Sequence, residues 1–170
     1  MKSFWRFTMS TKEQQVQEMT NVIAKFIAYM AKKLPDDVEA KIKELAADEK
    51  NPLAKTIYET MHKNMDLAYE LNRPSCQDTG VLQFWVKCGT KFPLIDDLEV
   101  LLKEAVVQAT FATPLRHNSV ETFDEYNTGK NVGKGTPTVW WDIVPNSDQC
   151  EIYTYMAGGG CTLPGNATVL

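Results

Sequence analysis

One short segment of the sequence places four different chemical groups in consecutive positions, Cys76, Gln77, Asp78 and Thr79, followed by Gly80. A thiol can ligate a metal or attack as a nucleophile, and a carboxylate can accept or donate a proton. An amide or a hydroxyl can hold a substrate by hydrogen bonds. The alternative interpretation is structural: a buried cysteine, with Asp78 capping a turn. Residue types alone favour this alternative, and they leave both interpretations open.

The remaining cysteines and the two histidines form no recognisable metal-binding pattern. No CxxC pair occurs, which argues against zinc-ribbon and thioredoxin-like sites. Cys88, Cys150 and Cys161 are therefore expected to be ordinary, partly buried thiols. His62 and His117 lie at no ligand spacing from a cysteine. A Cys–His nucleophile pair is left open by the sequence, although no spacing supports it.

Two segments are too irregular to serve only as scaffold. Residues 114–137 are mostly polar and contain several glycines, and the segment after residue 156 contains three consecutive glycines. Long loops inside a compact domain are usually functional or disordered. Both segments are therefore candidates for a binding site.

Helices are predicted for residues 1–72. Ser10 or Thr11 can cap a first helix, whose apolar residues recur every three or four positions up to Leu34. Pro35 opens a second helix and Pro52 a third. We interpret the apolar stripe of the third helix as core, and its members are Leu53, Ile57, Met61, Met65, Ala68 and Leu71.

The remainder of the chain, residues 73–170, is predicted to be mixed α and β. Strands are expected at residues 81–88, 138–144 and 150–156, and a further amphipathic helix at 96–110. The last two strands are predicted to pair as an antiparallel hairpin. The expectation is an α+β fold, with the N-terminal helical segment packed on an antiparallel sheet and a further helix. All 170 residues are expected to form one domain.

Composition and charge exclude several classes of protein. With 44% hydrophobic residues, the 170-residue chain can bury a core and is not expected to be disordered. A net charge of −4 without a basic stripe argues against nucleic acid as a ligand. No apolar run approaches the roughly 20 residues of a membrane helix. Residues 1–10 lack the apolar region of a secretory signal, so we expect a cytoplasmic protein with reduced cysteines.

Three motifs, in this order, resemble those of the iron–sulfur hydro-lyases, the family of class I fumarases and L-tartrate dehydratases. They are Cys76-Gln-Asp-Thr-Gly80, Leu115-Arg-His-Asn118 and Ala157-Gly-Gly-Gly160. The surrounding residues are especially similar to tartrate dehydratase alpha subunits. The similarity runs from about residue 15 to the last residue.

The resemblance implies a 4Fe–4S cluster held by three cysteines. The fourth iron stays open and acts as a Lewis acid on the substrate. Cys76 matches the first cysteine ligand. The family's other two ligands lie further along the chain than this sequence reaches, and Cys88, Cys150 and Cys161 do not match them. We therefore expect a truncated chain that lacks the other two ligands.

The resemblance also assigns roles to individual residues. Gln77 and Arg116 match groups that hold substrate carboxylates, and Asp78 matches the acid placed beside the leaving hydroxyl. Gly159, or one of its neighbours, is expected to let the backbone approach the substrate closely. The proton-abstracting base is expected from a beta-type subunit or a C-terminal domain, in an oligomer.

The implied reaction is the elimination or addition of water on a 2-hydroxy dicarboxylic acid. The substrate is either L-tartrate, converted to oxaloacetate, or malate, interconverted with fumarate. The motifs do not discriminate between these substrates. The alternative hypothesis is a truncated, catalytically silent fragment that acts only as a module for binding a partner or an anion.

Overall fold

The computed structural model describes residues 11–121 and 123–159, and this part of the chain contains four α-helices and three strands. In chain order these are α1 (Lys12–Met30), α2 (Asp36–Asp48), α3 (Pro52–Glu70), β1 (Val81–Gly89), α4 (Leu98–Ala112), β2 (Thr138–Val144) and β3 (Cys150–Ala157). A short 3₁₀ turn, Ile95–Asp97, leads into α4. The α+β class is confirmed.

The helices begin where the sequence provides caps. Thr11 forms a capping box with Gln14: its side chain accepts from the Gln14 backbone N–H, and the Gln14 side chain accepts from the Thr11 backbone N–H. The Asn51 side chain accepts from the Leu53 N–H, and Pro52 is the first residue of α3. These local hydrogen bonds explain why the starts of α1 and α3 could be predicted.

The sheet has the order β2-β1-β3, with β1 in the middle. β1 pairs in parallel with β2 and antiparallel with β3, so the sheet is mixed. The predicted hairpin is wrong, because β2 and β3 flank β1 and do not pair with each other. A parallel pair needs a long crossover connection, and α4 together with residues 113–137 provides it. β2 and β3, which are adjacent in sequence, are therefore separated in the sheet by β1.

The core lies between the inner face of the sheet and the helices α1 and α4. Alternate residues of β1 face it, as expected for a strand with one buried side. The buried members of this core include Ile23, Ile27, Leu82, Phe84, Val86, Cys88, Leu98, Leu101, Leu102, Ala105 and Val106. Because α4 is the crossover helix between β1 and β2, it is buried along much of its length.

The apolar stripe of α3 is not part of this core, so its interpretation as core is wrong for the described residues. Leu53, Ile57, Met61 and Leu71 are exposed, and Ala68 is the buried residue of α3. α2 has no buried residue. The two helices contact each other and lie beside the core rather than within it.

The outer face of the sheet is also uncovered by the described part of the chain. Trp85 of β1 is paired in register with Trp140 on one side and Tyr153 on the other, and all three side chains are exposed. The two indole rings lie 6.3 Å apart between centroids. Within residues 11–121 and 123–159, no helix is long and apolar enough to span a membrane.

Candidate active site

The segment that carries Cys76 is an irregular turn between α3 and β1, and hydrogen bonds from two helices hold its backbone. The Ser75 N–H donates to the Ala31 carbonyl at the end of α1, over 2.9 Å. The Asn64 side chain of α3 donates to the Ser75 carbonyl over 2.7 Å. The backbone before Cys76 is thus anchored, whereas the Cys76 thiol is free and exposed. An exposed thiol on a fixed backbone can serve as a ligand to a metal.

Asp78 joins three separate parts of the chain through its carboxylate. Oδ1 accepts from the Gly80 N–H and from the Asn118 side chain, each over 3.2 Å. Oδ2 accepts from the Gly159 N–H over 2.8 Å. The segment before β1, the segment after α4 and the end of β3 therefore meet at one carboxylate. N–H donors of this kind stabilise the charged form of a carboxylate.

Gly80 is required by the close approach of the chain at the end of β3. Its φ is +81°, and a Cβ at this position would lie 2.7 Å from the Ala157 carbonyl carbon. A side chain would therefore force β3 away from β1 at this end. Gly159 is also tightly placed, since a Cβ there would lie 3.3 Å from the Asp78 Oδ2 atom. Both glycines keep the end of β3 against Asp78.

Arg116 lies on the segment after α4, and its backbone is fixed on both sides. Its N–H donates to the Thr79 hydroxyl over 3.1 Å, and its carbonyl accepts from the Asn131 side chain, also over 3.1 Å. The Arg116 side chain is exposed and takes part in no ion pair with the described residues. A guanidinium on an anchored backbone, without a carboxylate partner, is available to bind an anion.

A cavity of about 520 Å³ brings these groups together. Cys76, Gln77, Thr79 and Arg116 line it, with Asn64 on the α3 side. A smaller hollow of about 130 Å³ lies on the other side of the turn and is lined by Cys76 and Asp78. The site is thus built from a turn, the segment after α4 and the end of β3.

Four of the five residues that sequence reasoning assigned to a site, Cys76, Gln77, Asp78 and Arg116, line these two cavities. The fifth, Gly159, joins them through its hydrogen bond to Asp78. Gly160 and Cys161 lie outside the described residues.

The histidines and the other described cysteines take no part in the site. His62 lines a hollow between α1, α2 and α3, and His117 packs edge-on against the ring of Phe111. Cys88 is buried in the core, and Cys150 lies opposite it on β3. In the described ranges, no three His, Cys, Asp or Glu side chains come together as a metal-binding group.

Sequence reasoning missed two asparagines that organise the site. Asn118 lies within one of the three motifs but is assigned no role by the sequence, and it donates to Asp78. Asn131 is buried, and its side chain also donates to the Thr110 hydroxyl and accepts from the Ser119 N–H. The sequence around Asn131, between Gly129 and Gly133, looks like that of an ordinary polar loop. It therefore contains no signal that Asn131 holds the backbone of the site.

Comparison with known proteins gives a consistent result. A family model described as fumarate hydratase (fumerase) matches residues 20–170. The L(+)-tartrate dehydratase subunit alpha of Escherichia coli O157:H7 is 54% identical over 161 residues, which cover 95% of this chain and 53% of that protein. The protein of the same description from Escherichia coli K12 is 53% identical over the same shares of both chains. A Geobacillus stearothermophilus protein described as "Putative fumarate hydratase class I" is 31% identical over 86% of this chain and 28% of its own length. The chain thus spans about half the length of the alpha subunits it matches.

Proposed function

The chain belongs to the fumarate hydratase (fumerase) family, and on that premise we propose that it is part of a hydro-lyase acting on a 2-hydroxy dicarboxylic acid. The observation that carries the proposal is the meeting of Gln77, Asp78 and Arg116 around one exposed thiol, Cys76. These groups come from two separate segments of the chain, and the backbone of a third, at Gly159, joins them. The substrates proposed are L-tartrate, giving oxaloacetate, or malate and fumarate.

The family resemblance implies a 4Fe–4S cluster, and the described residues fit one ligand position of such a cluster. Cys76 offers an exposed thiol on an anchored backbone, but no further cysteine lies beside it in the described part of the chain. A complete set of thiolates is needed for stable binding. When bound, an iron with an open coordination position would supply a Lewis acid for the departing hydroxide. We propose that the other ligands come from the portion of the family's length that this chain does not span.

Arg116 and Gln77 are proposed to bind the carboxylates of the substrate. The guanidinium offers two parallel N–H donors that match a carboxylate, and it has no ion-pair partner among the described residues that would compete. The Gln77 amide adds a neutral donor on the same cavity wall. Because the chain has a net negative charge, a local cation is needed to hold a dianionic substrate.

Asp78 is proposed to orient the hydroxyl group that leaves the substrate. Its carboxylate is held by donors from both neighbouring segments, so its position changes little when a substrate enters. A fixed carboxylate can accept the hydrogen bond of a substrate hydroxyl, and in its protonated form it can give the proton on Oδ1 or Oδ2 to that hydroxyl, so that it leaves as water. Gly159 leaves the space beside Oδ2 free of a side chain.

The rest of the machinery is proposed to come from other parts of the assembled enzyme. A beta-type subunit or a C-terminal domain would provide the base that removes the carbon-bound proton, and the assembly would be an oligomer in the cytoplasm. In this scheme the described residues bind and orient the substrate but do not complete the reaction alone.

The decisive experiment uses this chain within a protein of the relatives' full length, together with its partner subunit. We expect Arg116→Lys to lower kcat/KM for L-tartrate or malate by at least about tenfold, because lysine loses the two-pronged contact. The matched control is Arg73→Lys, an exposed arginine that lines neither cavity at Cys76. The control should keep its kcat/KM within about twofold.

Equal effects of the two substitutions would remove Arg116 from the site.

A second candidate function is favoured by the single thiol at the site: a module that binds dicarboxylates without turnover. In that case the assembled protein would bind L-tartrate or malate, Arg116→Lys would weaken the binding, and no hydration or dehydration would be measured.

A further inference from the structure

Two cysteines that the proposed reaction does not use lie directly opposite each other on neighbouring strands. Cys88 is near the end of β1 and Cys150 begins β3, and the antiparallel register pairs them. Both are free thiols. In the sequence 61 residues lie between them, so only the strand pairing brings them together.

The backbone hydrogen bonds identify which kind of antiparallel pair they form. The next position along the ladder is Gly89 opposite Gln149, and the Gly89 N–H donates to the Gln149 carbonyl over 2.8 Å. Hydrogen-bonded and non-hydrogen-bonded pairs alternate along an antiparallel ladder. Cys88 and Cys150 are therefore a non-hydrogen-bonded pair, whose Cα atoms are typically about 4.5 Å apart. This spacing falls within the range of about 4.4–6.8 Å in which disulfides form.

The side chains point the same way, toward the core. Cys88 is fully buried, and Cys150 is partly buried and packs against the same cluster. The Cys88 thiol donates to the Gly89 carbonyl over 3.6 Å. The pKa of the Cys150 thiol is raised to about 12, mainly by burial and secondly by the neighbouring Cys88. At neutral pH this thiol is protonated, so its reaction with an oxidant is slow.

We propose that Cys88 and Cys150 are a modification site, which closes into a reversible intrachain disulfide across β1 and β3. The oxidant is a small-molecule disulfide. Cys150, the more accessible thiol, loses its proton and attacks one sulfur of the oxidant, whose other sulfur leaves as a thiolate. Cys88 then loses its proton, attacks the Cys150 sulfur and expels the second small thiolate. Two protein S–H bonds are replaced by one S–S bond, and the two protons pass to the two released thiols.

The bond would act at the end of the sheet opposite to the candidate active site. β3 runs from Cys150 to Ala157, and the following Gly159 holds Asp78. A disulfide at the start of β3 would fasten the far end of the β1–β3 ladder without touching Cys76 or Arg116. It would therefore stabilise the fold and leave the binding groups accessible, independently of the proposed function.

The test uses the 170-residue chain with Cys76→Ser and Cys161→Ser, which leaves only the proposed pair. After incubation with oxidised glutathione, we expect the mass to fall by that of two hydrogen atoms. Trypsin should then release the peptide of Cys88 joined to that of Cys150, and dithiothreitol should separate them. The melting temperature should rise by about 5 to 10 °C on oxidation. Adding Cys150→Ser should abolish both the linkage and the rise.

Glutathione adducts without a linkage, or links between separate chains, would overturn the proposal, as would an unchanged melting temperature.

The unsubstituted chain provides a second measurement that does not depend on how the serine variant folds. In the folded chain the Cys88–Cys150 link should exceed every other pairing of the four cysteines, and in concentrated urea this preference should disappear. An equal distribution of pairings in both conditions would show that the strand register does not bring the two thiols together.

Discussion

α1 and α3 are both 19 residues long and both carry an apolar stripe at helical spacing, yet the fold treats them differently. α1 packs on α4 and buries Ile23, Ala24 and Ile27. α3 contacts α2, and most of its apolar stripe is exposed, with Leu53 71% accessible. We call α2 and α3, residues 36–70, the helical arm, and the cluster between α1, α4 and the sheet the inner core.

The difference shows that an apolar stripe predicts which side of a helix is suited to packing, but it does not predict whether another element of the chain covers that side. The inner core is closed because α4, the crossover between two parallel strands, must lie against the sheet and leaves room for α1 beside it. The helical arm precedes the sheet, and single hydrogen bonds hold the chain just after the C-terminal end of the arm. Lys32 donates to the Asn72 side chain, and Asn72 donates to the Ala112 carbonyl.

We expect the largest effect when the same substitution, leucine to alanine, is made in each of the two regions and the losses of stability are compared. Leu102 is fully buried in the inner core, whereas Leu53 is exposed at the start of α3. Leu102→Ala should lower the free energy of unfolding by about 2–5 kcal/mol, because it removes buried methyl groups and leaves a cavity. Leu53→Ala should change it by no more than about 0.5 kcal/mol. Urea unfolding of the 170-residue chain measures both.

A large effect of Leu53→Ala would contradict the contrast between the two regions. It would mean that the stripe of α3 is covered in solution, for example by a second copy of the chain. Repeating the measurement at several protein concentrations would detect such a copy, since association makes stability depend on concentration.

We expect an effect of intermediate size on protease cleavage at the joint between the helical arm and the sheet. This experiment tests whether residues 1–170 form one domain. The joint is held by the Arg73 N–H donating to the Ala68 carbonyl and by the Ser75 N–H donating to the Ala31 carbonyl. We expect a protease of broad specificity to cut between residues 118 and 137 at least about tenfold faster than near residue 73, since protection reflects local opening. Mass spectrometry of early fragments gives the order of cleavage. Two stable fragments that separate near residue 73 would instead show that the arm and the sheet are independent units.

The smallest expected effect concerns one exposed ion pair at the start of the helical arm. Lys33 lies 2.7 Å from Asp36, and its hydrogen bond and charge lower the pKa of the Asp36 carboxyl in the folded chain. The resulting stability is present above the ordinary aspartate pKa of about 3.9 and is lost as the pH falls through the lower folded value. Asp36→Asn should weaken the fall of the melting temperature between about pH 5 and about pH 2.

Asp37 provides the control for this ion pair. It lies in the same first turn of α2 and takes part in no ion pair of the described chain. Asp37→Asn should leave the acid dependence close to that of the unsubstituted chain. If both substitutions change it equally, the effect belongs to the helix terminus and not to Lys33.

Local sequence determined most of the individual elements. The starts of α1 and α3 follow from side chains that bind the first backbone N–H groups, and β2 follows from a β-branched and aromatic run. The family resemblance by itself identifies Cys76, Gln77, Asp78, Arg116 and Gly159 as candidate site residues, because the motifs that contain them are short and continuous. The roles assigned to these residues remain predictions.

Only the tertiary structure decided how those elements meet. The sequence suggested that β2 pairs with β3, and β1 lies between them. The hydrogen bonds from Asn118 and Gly159 to Asp78, the anchoring of Arg116 by Asn131 and the pairing of Cys88 with Cys150 all join segments that lie apart in the chain. The physical reason is that caps and propensities act over a few residues, whereas strand order depends on which arrangement buries both α4 and the inner face of β1. That choice is made by the whole chain and cannot be read from any one segment of it.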